Sequence, residues 1–179
     1  MTVHESAYEQ LLHWAPLSPQ QDDLRHEFLH CLAIHENGCL RSGRPDHLTA
    51  SAIVMNADRT RVLLCLHRKV GLWLQFGGHI ETEDQTLADA ALREAHEESG
   101  IAGLTLLDAS PARLDRHSAP CGGGAKHHLD VQFVAVAPAG AEPMASAESL
   151  DVAWFEADAL PDETDDAVRA LVNDALSQP

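Results

Sequence analysis

A chain of 179 residues, 45% hydrophobic and 22% charged, holds enough apolar material for one compact domain and is too short for two of ordinary size. Its formal charge of −16, from 28 acidic against 12 basic residues, repels phosphate backbones and anionic lipid, which excludes nucleic acid and membrane surfaces as partners. No apolar run reaches the roughly 20 residues of a membrane span, and the opening MTVHESAYEQ lacks a basic-then-apolar leader. A soluble, cytoplasmic protein is expected, with Cys31, Cys39, Cys65 and Cys121 scattered and reduced.

Ser18-Pro19 followed by Gln20 to Asp23 reads as a capped helix start, with proline in the first turn and acids at the positive end. Leu24, Phe28, Cys31, Leu32 and His35 recur at helical spacing until Asn37-Gly38 stops them. Leu48 to Met55 and Arg61 to Leu66 read as paired strands around the turn residues Asn56 to Arg59. A short extended piece, Trp73 to Phe76, is expected to end at Gly77-Gly78, and Leu87 to Ser99 has a strong helix pattern closed by Gly100. Leu104 to Leu107 resumes as strand, while the prolines and the Gly122 to Gly124 run predict a loop over Pro111 to Lys126. Strands over His128 to Ala137 and Val152 to Phe155 precede a last helix, Asp165 to Leu176, buried through Val168, Leu171, Val172 and Leu176. Together these elements imply an α/β fold: a sandwich around a mixed sheet, with residues 1–45 as a helical extension packed on a domain of residues 46–179.

The chemistry concentrates in Arg93-Glu94-Ala95-His96-Glu97-Glu98-Ser99-Gly100-Ile101. Glu94, Glu97 and Glu98 share one face of a helix, where like charges repel unless a cation sits among them. Hard oxygen donors suit Mg2+ or Mn2+, which retain waters and accept phosphate oxygens as further ligands. Arg93 reaches a carboxylate one turn away and holds it in one orientation.

A glycine before a loop and helix, followed by Arg-Glu-x-x-Glu-Glu-x-Gly, resembles the signature of the Nudix family, G-x5-E-x7-R-E-U-x-E-E-x-G-U with U a bulky aliphatic. Gly78 opens the pattern, and Arg93, Glu94, Glu97, Glu98, Gly100 and Ile101 fill its second half in register. Two departures stand out. The segment from Gly78 to Arg93 is one residue longer than the signature's, so that Asp84 or Gln85 takes the early glutamate position according to the direction of counting, and Ala95 replaces a larger aliphatic residue.

The resemblance implies a Nudix-like α/β/α sandwich and a pyrophosphohydrolase. Such an enzyme splits a nucleoside diphosphate from the moiety it is linked to, by water attack on phosphorus. Glu94, Glu97 and Glu98 are the implied metal ligands for Mg2+ or Mn2+, and Glu97, Glu94, Arg93 and Asp84 the implied catalytic set. Candidates for the proton acceptor are Glu97, Asp84, His127 and Glu148. A nucleotide-binding or sensing module that has kept the fold and lost turnover is the alternative. Gly78, Phe76, Arg68, His128 and Asp130 are the candidate substrate contacts, with His128 and Asp130 sent to one strand face by alternation. Weaker groupings are His117, Cys121 and His127, and His30, Cys31, His35 and Cys39, each with some metal-ligand character. The oligomeric state stays open, with a homodimer as one option.

Overall fold

The computed structural model describes residues 1–41, 46–118, 127–147 and 149–178. Two helices come first, α1 (Val3–His13) and α2 (Pro19–Ile34). In α1 the Thr2 hydroxyl accepts from the Glu5 N–H while the Glu5 carboxylate accepts from the Thr2 N–H, a reciprocal cap that satisfies two otherwise orphaned donors. Ser18 caps α2 in the expected way, and Phe28, Cys31 and Leu32 form its buried side.

There follow β1 (Asp46–Met55), β2 (Arg61–His67), β3 (Trp73–Leu74), β4 (Phe76–His79), α3 (Leu87–Ser99), β5 (Thr105–Leu106), β6 (Arg113–Ser118), β7 (His127–Val136), β8 (Ser149–Glu156) and α4 (Asp166–Ser177). β1 organises the mixed sheet: it runs parallel to β7 from Asp46↔His127 to Met55↔Val136 and antiparallel to β4 over Thr49 to Ala52. At its far end it meets β2 through Val54↔Leu63 and Met55↔Val62, and β2 then continues between β8 and β3. The result is the expected α/β arrangement.

Alternation along β1 builds two cores. Leu48, Ala50, Ala52 and Val54, with Leu129, Val131, Phe133 and Ala135, pack with the buried residues of α3, α1 and α2. Ile53, Met55, Val62, Leu64 and Val134 pack with Val168, Leu171, Val172 and Ala175 of α4. Toward the start of β1 this second face turns polar, with His47, Thr49 and Ser51 beside His128, Asp130 and Gln132.

The N-terminal helices are tied to the sheet by directed bonds. Trp14 Nε1 donates to the Pro111 carbonyl at 2.7 Å, and Gln21 exchanges two bonds with the Leu114 backbone at 2.9 and 2.7 Å.

Two local expectations are corrected. Gly77 and Gly78 do not end the extended piece. They lie inside β4, because their backbone pairs with Ser51 and Ala50 of β1, and glycine fits where another chain passes this closely. A Cβ on Gly77 would overlap Ser51. Likewise Arg113 to Ser118, assigned to a loop on its prolines and glycines, is strand β6, aligned on β7 from Arg113↔Gln132 to Ser118↔His127. Residues 119–126, with Cys121 and the glycine run, lie outside the described residues, as does Glu148.

Candidate active site

Helix α3 is placed by its ends and by its small residues. Thr86 caps it by accepting from the Asp89 N–H at 3.0 Å, and Gly100, at φ 67°, takes the left-handed conformation that closes it. Ala88, Ala91 and Ala95 are buried, so the helix axis comes close to the sheet. Ala95, where a bulkier residue was expected, is fully enclosed.

That close approach brings Glu94 and Glu98 to the glycines of β4. The Gly77 N–H donates to Glu98 Oε2 at 3.2 Å. A Cβ on Gly78 would stand 2.6 Å from Glu94 Oε1, so only glycine leaves room for the carboxylate against the backbone. Glu97 differs: its side chain is 60% exposed and meets the Arg93 guanidinium at 3.4 Å. The three glutamates therefore divide into an inner pair and an outer member. Glu97 and Glu98 also fall in the last turn, at the negative end of the helix dipole, a placement that a bound cation offsets.

Arg93 is the hub. Its Nε donates to Asp84 Oδ1 at 3.1 Å and one terminal nitrogen to Asp84 Oδ2 at 2.9 Å, a two-point clamp. The same nitrogen donates to the His79 carbonyl at 3.0 Å, and the other terminal nitrogen to Glu94 Oε1 at 3.0 Å. The hydrogen bonds to Asp84, followed by the opposing effect of burial and then the bond to Glu94, leave the guanidinium pKa raised above its ordinary value. Asp84, with a side chain 6% exposed, also accepts from the Glu81 N–H at 2.8 Å. The longer Gly78-to-Arg93 segment thus folds so that an aspartate, fully engaged, becomes the anchor of the arginine.

The remaining candidates separate. Gly78 lines a cavity of about 320 Å³ together with Arg41, Gly77, His79, Ile80, Glu81, Glu94 and Glu98. Phe76 is fully buried in the core and has no free face for a nucleobase, which corrects its assignment as a substrate contact. Trp73 packs edge-on against Phe155 at 4.8 Å. The Arg68 guanidinium donates to the carbonyls of Ala147 at 3.3 Å and Ser149 at 3.2 Å, fastening the approach to β8. Asp130 shares a face with His128, as alternation requires. It is enclosed, however, and accepts from Thr49 at 2.9 Å, Ser51 at 2.6 Å and Gln132 at 3.1 Å, so its acceptor capacity is used internally. The Nδ1 of His127 lies 3.1 Å from both Asp46 Oδ1 and the Arg116 guanidinium. Cys31, Cys39 and Cys65 are buried, and His30, Cys31, His35 and Cys39 do not assemble as a metal cluster among the described residues; the grouping of His117 and His127 with Cys121 lies partly outside them.

Residues 45–174 match the family profile described as NUDIX domain, which covers most of the chain. The chain belongs to the Nudix family. Solved structures agree on the fold. A hydrolase of the NUDIX family from Clostridium perfringens is 24% identical at TM-score 0.61, over 73% of this chain and 95% of that one. The E. coli dihydroneopterin triphosphate pyrophosphohydrolase is 24% identical at TM-score 0.59, over 73% and 94%. A C. elegans Ap4A hydrolase is 19% identical at TM-score 0.57, over 73% and 95%. No curated protein matches.

Beyond the Nudix motif, the fold gathers residues that no local pattern had grouped together, His128 and His117 among them having been singled out on other grounds. Arg41 brings a cationic side chain to the cavity lining, in a protein whose net charge is −16. On the polar sheet face, His47, His79 and His128 have ring centroids 5.0 to 5.2 Å apart, with His117 5.4 Å from His128. Burial lowers the pKa of His47, and takes His79 down to about 4 and His128 to about 3, the neighbouring rings adding to the effect. His117 moves the other way, raised by its hydrogen bond to Asp115. No helix among the described residues is long and apolar enough to cross a membrane.

Proposed function

We propose that this Nudix hydrolase cleaves the pyrophosphate of a nucleoside diphosphate linked to another moiety, with Mg2+ or Mn2+ held by Glu94 and Glu98 and completed by Glu97. The observation that carries this is the seating of the Glu94 and Glu98 carboxylates against the backbone of Gly77 and Gly78, at the wall of a cavity that also presents Arg41. The donor set suits such a cation: carboxylate oxygens alone, paired on one helix face, beside a glycine that leaves space where a side chain would intrude. When bound, the ion neutralises phosphate charge and lowers the pKa of a coordinated water.

The protein's own groups do the rest. Arg93, clamped by Asp84, holds Glu94 in one orientation, so that the ligand cage is set before substrate arrives. Asp84 is thereby a positioning residue, since Arg93 and the Glu81 N–H take up its oxygens. Arg41 meets the phosphate charge that the acidic surface otherwise repels. Water oxygen bonds to phosphorus, the bond from phosphorus to the bridging oxygen breaks, and the proton passes to Glu97, the exposed member of the three glutamates on α3. Both products leave as phosphate esters or phosphate.

The family relatives named for a pterin triphosphate and for Ap4A support a substrate with a phosphoanhydride bond to a nucleotide-like group. The test is a panel of nucleotide sugars, dinucleoside polyphosphates, nucleoside triphosphates and ADP-ribose, assayed with and without Mg2+. Turnover of at least one that is lost with EDTA and in a folded Glu98→Gln variant is the expected result. Tight nucleotide binding with no product from any member would establish the silent sensing module instead.

A further inference from the structure

We propose that His47, His79 and His128 form a second metal site that binds a borderline divalent ion of the zinc class, distinct from the glutamate site on α3. Each residue offers one nitrogen, and these three atoms all lie within 4.8 Å of one another, near enough that small ring rotations bring all three to one ion at about 2.0–2.1 Å. The three come from different strands. His47 of β1 lies directly beside His128 of β7 in the parallel register, and His79 of β4 stands opposite Thr49, two residues further along β1. Strand alternation turns His79 to the face opposite Gly78, away from the glutamates of α3.

The decisive feature is His47. Its side chain is 1% exposed, and neither ring nitrogen has a hydrogen-bond partner among the described residues. A buried imidazole carries a donor and an acceptor, and leaving both unmet is rare in a folded protein unless something occupies the space they address. A metal ion answers the acceptor half of this by taking the lone pair. Imidazole nitrogen selects zinc, nickel, copper or cobalt over magnesium, which keeps the two sites chemically separate.

The surroundings fit. His117 of β6 pairs with His128 in register, and its Nδ1 bonds Asp115 Oδ2 at 2.9 Å, the carboxylate–histidine arrangement that orients a ring toward a metal. It stands at the rim beside His128, and a water fills the fourth position. An ion here fastens the adjoining ends of β1, β4 and β7. Because β4 continues from the glycines that seat Glu94 and Glu98, the ion also stiffens the backbone under the hydrolytic site.

The experiment loads EDTA-stripped wild-type protein with Zn2+ and with Co2+ at pH 7, alongside His79→Gln, His128→Gln and Glu94→Gln/Glu98→Gln variants. Elemental analysis after desalting, cobalt visible spectra and thermal melts are read for each. One equivalent of zinc is expected in wild type and in the double glutamate variant, with the intense visible bands of a low-coordinate cobalt site. Each histidine variant should weaken binding by more than the roughly 10–100-fold that loss of a mere second-shell partner causes. X-ray absorption on zinc-loaded wild type and the glutamate variant reads the ligands directly, so the result stands even where a histidine variant misfolds. Three imidazoles in the zinc shell support the site. No retained zinc, or zinc with only oxygen ligands that disappears with Glu94 and Glu98, overturns it. Magnesium-dependent turnover of the zinc-free protein is measured separately and bears only on the hydrolase reading.

Discussion

Replacing Arg93 with methionine keeps an apolar stem and deletes the guanidinium that Asp84, Glu94 and the His79 carbonyl share. Asp84 then retains the Glu81 N–H but loses its counter-charge while its side chain is only 6% exposed. Stranding one member of a fully buried ion pair costs about 3–5 kcal/mol. Arg93 is 22% exposed, which admits water and screening, so the lower end, about 3 kcal/mol, applies. For a chain of this size each kcal/mol shifts the melting temperature by about 2–4 °C, which predicts a fall of about 6–12 °C. Calorimetric or circular-dichroism melts at pH 7 of wild type, Arg93→Met, Asp84→Asn and the double variant measure it. The cycle should show a coupling of about 1–3 kcal/mol, as for residues sharing one buried network. A single variant melting within about 2 °C of wild type, or a coupling near zero, would refute the clamp and with it the idea that Asp84 orients the site through Arg93.

Gly78→Ala places a methyl group 2.6 Å from Glu94 Oε1, so the carboxylate must swing aside. Turnover is expected to fall about 10²-fold, with more Mg2+ needed for half-maximal rate, and kinetics at wild-type level would show that the close approach is unimportant. Burial pushes the Cys39 thiol up to about 12, with Cys31 adding to it, so the native protein should resist alkylation at Cys39 at pH 8 and react once unfolded, as peptide mapping will show. The sign follows from the proton count. The folded thiol keeps its proton up to about pH 12 while the unfolded one loses it near its ordinary value of 9.0, so its contribution to stability is intact below pH 9 and is lost as pH rises toward 12. In Cys39→Ala that alkaline loss should shrink in denaturant titrations.

Residues whose roles depend on near neighbours were readable in the chain itself. Ser18 and Pro19 start α2, Gly100 closes α3, and the spacing of Glu94, Glu97 and Glu98 places them on one face, because caps and helical periodicity are settled within a few residues. The Thr2–Glu5 cap that starts α1 is equally local. Composition misled at β6, where prolines and glycines beside it suggested a loop, while the edge of β7 supplied the hydrogen bonds that make Arg113 to Ser118 a strand.

What the linear order determined, then, was the helices, most strands and the acidic motif of the Nudix family. Tertiary structure alone decided that Asp84 anchors Arg93, that Phe76 belongs to the core, that Arg41 joins the cavity, and that His47, His79 and His128 meet. The division has one cause: a cap or a helix face forms between residues a turn apart, whereas these meetings arise between strands distant in sequence, where sheet register, rather than spacing along the chain, chooses the neighbours.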